Sequence, residues 1–442
     1  MLSRAEILKQ LRQENVAFMR LWFTDILGHN KNVEVPASQF AKALDGQILF
    51  DGSSIEGFSR IEESDMLLVP DLKTFRIFPW AERGGKVARL ICDIYNPNGS
   101  EFPGCPRAVL KRICAKAHAM GYTMNAGPEA EFFLFERDAS GAATTQTHDF
   151  GSYFDVTPVD RAEDTRRAIV EVLQKLDYEV EALHHEVAIG QHEIGFKYAD
   201  VLKTADNIVT FRFVVRKIAL DFNLHATFMP KPLYGVNGSG MHTHQSLFML
   251  DGENAFYDAK AKHQISKTGI NYIGGLLEHA SGFCAITNPL VNSFKRLVPG
   301  YEAPTHIVWS ERNRSPLVRI PDRRGIGTRA ELRMPDPACN PYLAFAVMLA
   351  AGLDGIERNL NPGPPINKNI YTMSTRERAR LKIKSLPGSL SEAIDVMEKN
   401  KLVRHTLGEH IFNQYIQTKR KEWQSYIAQV HQWEIDQYLT RY

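Results

Sequence analysis

Several stretches of this chain concentrate carboxylates and imidazoles at spacings that could aim them at one point. In Gly127-Pro128-Glu129-Ala130-Glu131-Phe132-Phe133-Leu134-Phe135, Pro128 marks the start and the aromatic run after it predicts a strand over 129–135. Alternation places Glu129 and Glu131 on one face, about 7 Å apart, with Phe133 and Phe135 continuing it. Two like charges beside an apolar floor repel and are poorly solvated, which is costly unless a cation sits between them. The plainer alternative is a strand end whose acids point into water.

Glu186-Val187-Ala188-Ile189-Gly190-Gln191-His192-Glu193 predicts a hairpin turning at Ile189-Gly190. That register pairs Ala188 with Gln191 and sets Glu186 opposite Glu193, where facing like charges invite a bridging cation. A bulge would shift the register and separate them. His184 and His185 are either supporting donors or core histidines. In Asn237-Gly238-Ser239-Gly240-Met241-His242-Thr243-His244 the glycines permit close backbone approach and leave amides free for a polar ligand. His242 and His244 fall on one strand face, a spacing that also suits structural histidines.

In Thr328-Arg329-Ala330-Glu331-Leu332-Arg333, alternation puts Glu331 between two guanidiniums on one face. A surface salt-bridge ladder would look the same. Yet Arg296, Arg312, Arg314, Arg319, Arg323 and Arg324 crowd the preceding stretch of a chain whose net charge is only +2. Arginines concentrated beside acids suit a site where hard cations meet phosphate or carboxylate groups. Oxygen-rich sites with one imidazole favour Mg2+ or Mn2+ over zinc. Divalent ions beside arginines point to phosphoryl transfer. No Gly-x-x-x-x-Gly-Lys-[Ser/Thr] occurs, so a nucleotide would be held through its phosphates and metals.

The elements that position these residues read as α+β. The 442 residues exceed one ordinary core and suggest a small domain and a large one. The densest run of breakers, Asn96-Pro97-Asn98-Gly99 and Pro103-Gly104-Cys105-Pro106, places the boundary at about residue 103. This gives domains of 1–103 and 104–442. Ser3 and Glu6 form a capping box ahead of a helix to about Gln13, followed by strands near 16–23, 32–35, 75–78 and 86–94. The second domain opens with a helix from Pro106 to Met120. Beyond 339 the pattern is mainly helical, with Tyr342–Leu353 a buried helix too short to span a bilayer. Near-neutral charge gives no electrostatic case for nucleic acid. Five scattered cysteines without a Cys-x-x-Cys pair, and an N-terminus lacking a signal-peptide core, suit a reducing cytoplasm.

These stretches, in this order, resemble the glutamine synthetase family, class I type. The resemblance rests on Phe50-Asp51-Gly52-Ser53-Ser54-Ile55, Gly127 to Phe133, His184 to Glu193, Lys231-Pro232 through His242, Asn292 to Pro304, Asn313-Arg314-Ser315 and Asp336 to Tyr342. It runs from about residue 10 to the C-terminus. The implied fold is a small N-terminal β-grasp-like domain and a large C-terminal α/β catalytic domain with a curved, mainly antiparallel sheet and a helical tail. The implied reaction has ATP phosphorylate the side-chain carboxylate of L-glutamate, after which ammonia displaces phosphate from the γ-glutamyl phosphate.

By the same resemblance, Glu131, Glu186 and Glu193 hold one divalent ion, which helps bind glutamate. Glu129, His242 and Glu331 hold another, which bridges the nucleotide phosphates. Asn237, Gly238, Arg296 and Arg333 bind glutamate. Glu181, His244 and Ser246 contact ATP, and Arg314 and Arg319 neutralise the transferring phosphoryl group. Asp51 takes the proton from ammonium, and Glu302 is the flap carboxylate that closes over the site. The resemblance also implies a dodecamer of two stacked hexamers, with Asp51 supplied by a neighbouring subunit.

Subtype follows from three features. Asn367 to Ser374 lacks the acidic surroundings of the adenylylated tyrosine of the beta subtype, and that subtype's insertion is missing. Arg60 matches the arginine linked to glutamine feedback in the alpha subtype. The expectation is feedback inhibition, no adenylylation, and a nitrogen-regulatory protein as an additional partner. Ala130 and Gly195 depart from the usual pattern, and neither removes a ligand. A related ligase using a larger amine is the main alternative, against which Asp51 and Glu302 weigh, because such an amine needs no ammonium pocket. A catalytically silent ring protein is the other, against which the full ligand set weighs.

Overall fold

The computed structural model describes residues 2–53, 55, 57, 65–82, 84–311, 315–368 and 370–442. The chain begins with α1 (Arg4–Gln13), capped by Ser3, whose side chain accepts from the Glu6 amide while Glu6 returns to the Ser3 amide. Then come β1 (Val16–Thr24), β2 (Asn30–Pro36), α2 (Phe40–Leu44), β3 (Ile48–Asp51), β4 (Asp65–Glu82) and β5 (Gly85–Tyr95). They form one sheet in the order β2-β1-β5-β4-β3, with β1 and β5 parallel at its centre. β4 starts at Asp65, well before the strand expected near 75. Pro70 and the polar run from Asp71 break the apolar alternation there, and the ladder with β5 shifts register between Asp71 and Arg76.

The larger part begins with α3 (Pro106–Ala119) and continues through β6 (Tyr122–Ala130), β7 (Phe132–Arg137), β8 (Ala143–Thr147), α4 (Glu163–Lys175), β9 (Val180–His185), β10 (Gln191–Phe196), β11 (Ala199–Asp200), α5 (Val201–Asp221), β12 (Leu224–Thr227) and β13 (Met241–Met249). After α6 (Lys267–Thr287) and α7 (Ser293–Arg296) come β14 (His306–Ile307), β15 (Trp309–Ser310), β16 (Val318–Arg319) and β17 (Ala330–Leu332). The remainder is α8 (Pro341–Glu357), α9 (Thr375–Arg380), β18 (Lys384–Ser385), α10 (Leu390–Lys399), α11 (Lys401–Leu407), α12 (Glu409–Ile427) and α13 (Gln432–Tyr438). α8 is the core helix, buried from Pro341 to Leu353. α6 lies backbone to backbone against it, since a Cβ on Gly275 would come within 2.0 Å of the Ala351 carbonyl oxygen.

Two mainly antiparallel sheets carry the site, ordered β11-β6-β13-β17-β16-β15 and β12-β7-β10-β9. The expected continuous strand 129–135 is therefore two strands. β6 ends at Ala130 in one sheet, β7 starts at Phe132 in the other, and Glu131 is the residue between them. Its amide still donates to the Gly240 carbonyl at 3.1 Å. The change of sheet is what curves the surface around the acids. Phe133 and Phe135 do share a face, stacked at 5.7 Å between ring centroids.

The two parts join through a buried ion cluster. Arg107 of α3 bonds Asp71 and Asp93 of the first sheet and both carboxylate oxygens of Asp206 on α5, all within 3.1 Å. Tyr342 adds a bond to Asp206 at 2.7 Å.

Candidate active site

Strand register gathers the first group of acids. β6 and β13 set Glu129 opposite His242, while β13 and β17 set His244 opposite Glu331. Facing residues on neighbouring strands point to the same side, so all four side chains meet. His244 Nε2 lies 2.8 Å from Glu129 Oε1, and His242 Nδ1 lies 3.5 Å from Glu129 and 4.0 Å from Glu331. One ligand atom each from Glu129, His242 and Glu331 falls within 4.8 Å of the others. Burial works to raise the Glu129 carboxyl, but bonds from His242 and His244 outweigh it and hold the group far below the usual range. Glu331, fully buried, is likewise kept low against burial by Arg333 and its neighbours. Burial, reinforced by the Arg333 charge, holds His242 below its ordinary pKa and so neutral, the form in which imidazole binds metals.

The second group hangs on the hairpin, where the structure corrects the expected register. Glu193 pairs with His184 and His192 with His185, so the connection is five residues, 186–190, and Glu186 lies at its start. The amide of Glu186 donates to the Gln191 carbonyl at 2.8 Å, and Gln191 donates to the Ala188 carbonyl at 3.0 Å. The expected turn at Ile189-Gly190 is therefore kept, with Gly190 at φ +69°, and the register slips beyond it, where Glu186 rather than Ala188 ends the ladder. Glu186 and Glu193 still converge, with His184 as the third member of a group whose ligand atoms lie within 4.8 Å. His184 Nε2 is 2.9 Å from Glu186 Oε1. Glu131 is absent from that close group, but burial and the nearby Glu186 charge push its carboxyl up to about 8. Burial and the charges of Glu129, Glu131 and Glu186 also drive Glu193 well above the ordinary carboxylate value.

Cations close the ring. Arg319 and Arg333 both bond Glu331, whereas Arg329, expected there, turns to His244 Nδ1 at 3.1 Å. β16 lies beside β17 and pairs Arg319 with Glu331, a neighbour that alternation along β17 alone could not reveal. Arg333 is buried, and its Nε has no partner among the described residues. Arg296 is buried against the carbonyls of Arg333, Met334 and Pro335, and burial lowers its pKa.

Two openings share these residues. A cavity of about 420 Å³ is lined by Glu129, Glu193, Glu181, His244 and Ser246. A small cleft of about 30 Å³ is lined by Glu131, Glu186, His242, Arg296, Arg333 and the Asn237–Gly238 backbone, with Glu302 at its rim. Asn237 donates to Glu302 Oε2 at 3.4 Å. Asp51 lines neither opening. It is exposed at the end of β3, where its carboxylate accepts from the Ser53 amide at 2.8 Å. Arg60 and Arg314 lie outside the described residues.

Sequence reasoning gave Gln191 no role beyond pairing. It is buried, and its Nε2 reaches Glu131, the Gly238 carbonyl and Ser239 Oγ. A glutamine directly after the turn glycine, on the face of β10 that also carries Glu193, was the available signal.

The donor set fits divalent cations. Carboxylates with raised pKa values, packed among other carboxylates, are a concentration of negative charge that the described side chains leave unbalanced. Oxygen donors with single imidazoles suit hard ions such as Mg2+ or Mn2+.

A parallel-centred first sheet beside a curved sheet pair, with two metal-competent groups of acids between a larger and a smaller opening, suits an enzyme that works with divalent ions. Residues 15–97 match the family model described as "Glutamine synthetase, beta-Grasp domain", and residues 103–438 match "Glutamine synthetase, catalytic domain". The chain is 61% identical over 444 residues to a glutamine synthetase of Thermus thermophilus, covering 100% of this chain and 99% of the relative. It is 54% identical to one of Methanosarcina mazei, covering 99% and 98%. Among solved structures it is similar to "GmaS/ADP complex-Conformation 1", with TM-score 0.89, 33% identity and coverage of 98% and 99%. It is also similar to Plasmodium falciparum glutamine synthetase, with TM-score 0.88, 26% identity and coverage of 99% of each chain. The chain belongs to the glutamine synthetase family, whose activity is ATP-dependent joining of ammonia to glutamate. No described helix is long and apolar enough to cross a membrane.

Proposed function

We propose that the chain makes glutamine by way of γ-glutamyl phosphate, with glutamate in the small cleft and ATP in the larger cavity. The observation that carries this reading is the acid cluster common to both openings, with Glu129 and Glu193 lining one and Glu131, Glu186 and His242 the other. Glu131, Glu186 and Glu193 would hold one divalent ion, and Glu129, His242 and Glu331 the other, as Mg2+ or Mn2+. Bound there, the ions supply neutralisation of the phosphate oxygens and of the substrate carboxylate.

The chain's own groups do the rest. Glu181, His244 and Ser246 hold the nucleotide. Arg296, Arg333 and the Asn237–Gly238 backbone hold glutamate, and the unpartnered Arg333 Nε is a donor for an anionic group. Arg319 and Arg314 offer guanidiniums where charge builds on the transferring phosphoryl oxygens. The γ-phosphoryl passes to the side-chain carboxylate, ADP leaves, and ammonia then attacks the acyl carbon as phosphate departs. Ammonium must first lose a proton. Hydrogen bonds from the Ser53 side chain and amide hold the Asp51 carboxyl below its usual range, so it is anionic at neutral pH and attracts ammonium. Glu302 covers the cleft and keeps out water that would hydrolyse the acyl phosphate.

Because Asp51 lines neither opening of its own chain, it serves a neighbouring subunit's site, in two stacked hexameric rings. Arg60 would mediate glutamine feedback, without adenylylation, in a cytoplasmic enzyme open to a nitrogen-regulatory protein. Mixing tests this reading. Asp51→Ala and Glu331→Gln subunits, each inactive alone, should recover activity when unfolded and reassembled together. Mixtures as inactive as either parent would refute the shared site.

A further inference from the structure

Beneath the hairpin lies a buried group that the chemistry above does not use. Asp149, His148, His185 and His192 are each less than a tenth exposed, with Asp149, His185 and His192 at 0%. Asp149 is therefore shut away from both openings, yet it reaches both ends of the connection that carries Glu186, one directly and the other through His185. Its Oδ1 accepts from the Gly190 amide at 2.9 Å, where that connection ends. Its Oδ2 lies 3.1 Å from His185 Nε2, and the same ring donates through Nδ1 to the Glu186 carbonyl at 2.6 Å, where the connection starts.

A second histidine packs against the carboxylate. His148 Nε2 lies 3.0 Å from Oδ2, and His148 Nδ1 donates to the Leu134 carbonyl of β7 at 3.0 Å. The His185 ring fills the space that a side chain on Gly151 would take, since a Cβ there would lie 2.6 Å from its Nε2. Glu186 in turn folds back on the loop it belongs to, accepting from the Val187 amide at 3.0 Å. The position of its carboxylate therefore follows the shape of the loop.

We propose that Asp149 is a positioning residue for the glutamate-side metal, setting the 186–190 loop from both ends and so placing Glu186. This rests on the metal-site reading above. The nucleotide-side group, Glu129, His242 and Glu331, sits on β6, β13 and β17, none of which Asp149 bonds. The effect is confined to one of the two ions.

The test is a Mn2+ titration of the metal-free full-length protein, following free Mn2+ by electron paramagnetic resonance, with melting temperatures in parallel. Asp149→Asn keeps the size of the side chain but puts an amide NH2 where one carboxylate oxygen was. Gly151→Ala instead displaces the His185 ring and leaves Asp149 intact. The wild type should show two classes of Mn2+ site. Each variant should bind one class about tenfold or more weakly, the scale of losing a ligand's outer support, and keep the other class unchanged. A shift of both classes together, or of neither, would overturn the proposal. If Asp149→Asn fails to fold, Gly151→Ala alone decides by the same criteria. A wild type lacking two classes would overturn the metal-site reading, and this proposal with it.

Discussion

Gln191 Nε2 donates to Glu131 Oε2 over 2.9 Å, joining the hairpin to the point where one sheet gives way to the other. The same amide group lies 3.2 Å from the Gly238 carbonyl and from Ser239 Oγ. One side chain ties three of the segments that wall the small cleft, which makes it the keystone of the glutamate side.

Gln191→Leu preserves volume and removes that tie. Loss of a buried hydrogen bond to a charged group costs about 1.5–3 kcal/mol, so the glutamate KM should rise about tenfold or more while the ATP KM changes little. Steady-state kinetics with each substrate varied checks this. Equal effects on both substrates would contradict the placement of Gln191.

The raised carboxyls predict a pH dependence of the metal-free protein. Glu131 moves from an ordinary 4.5 to about 8, and Glu193 moves the same way. Between those values the folded chain binds more protons than the unfolded chain, so stability falls as pH rises through the window. Divalent ions bind the deprotonated carboxylates and should remove the fall. Calorimetry with and without a chelator, at about pH 6 and about pH 8, reads the effect. A chelated protein that melts no lower at the higher pH would argue against this cluster of acids.

The acids were legible as residues before they were legible as a geometry. Alternation placed Glu129 and His242 on faces of their own strands, the resemblance brought them together, and the structure sets them opposite each other. Glu131 was expected on the same strand face, and nothing in its local pattern says that a strand changes sheets there. That change depends on which distant strands pair on either side, β13 with β6 and β12 with β7. The hairpin register slipped for a similar reason. Ile189-Gly190 does make the turn, but Glu186 also bonds Gln191 across it, and the buried Asp149 accepts the Gly190 amide. The first-domain sheet was readable except for the short β3, where no strand was expected, and the start of β4, where Pro70 and a bulge hide the alternation. Chemistry-bearing residue types thus announce themselves locally, while strand partners and register are set by contacts far along the chain.

Arg107 gives a prediction about assembly of the two parts. Its side chain is 3% exposed and neutralises Asp71, Asp93 and Asp206. Arg107→Ala would leave Asp206 and Asp71 without their cation and Asp93 with Lys111 alone, a loss of about 3–5 kcal/mol. The melting temperature should drop by several degrees, and an unfolding scan should separate the first sheet from the rest. An unchanged single transition would show that the cluster contributes nothing to the junction.

The central claim is that this chain activates glutamate with ATP and delivers the acyl group to ammonia. The most direct measurement is phosphate release from ATP with glutamate, comparing ammonium with putrescine and ethanolamine, with the amide product identified. The account predicts ammonium-dependent phosphate release matched by glutamine, with the larger amines poor substrates. Preference for a larger amine, or phosphate release indifferent to ammonium, would contradict it.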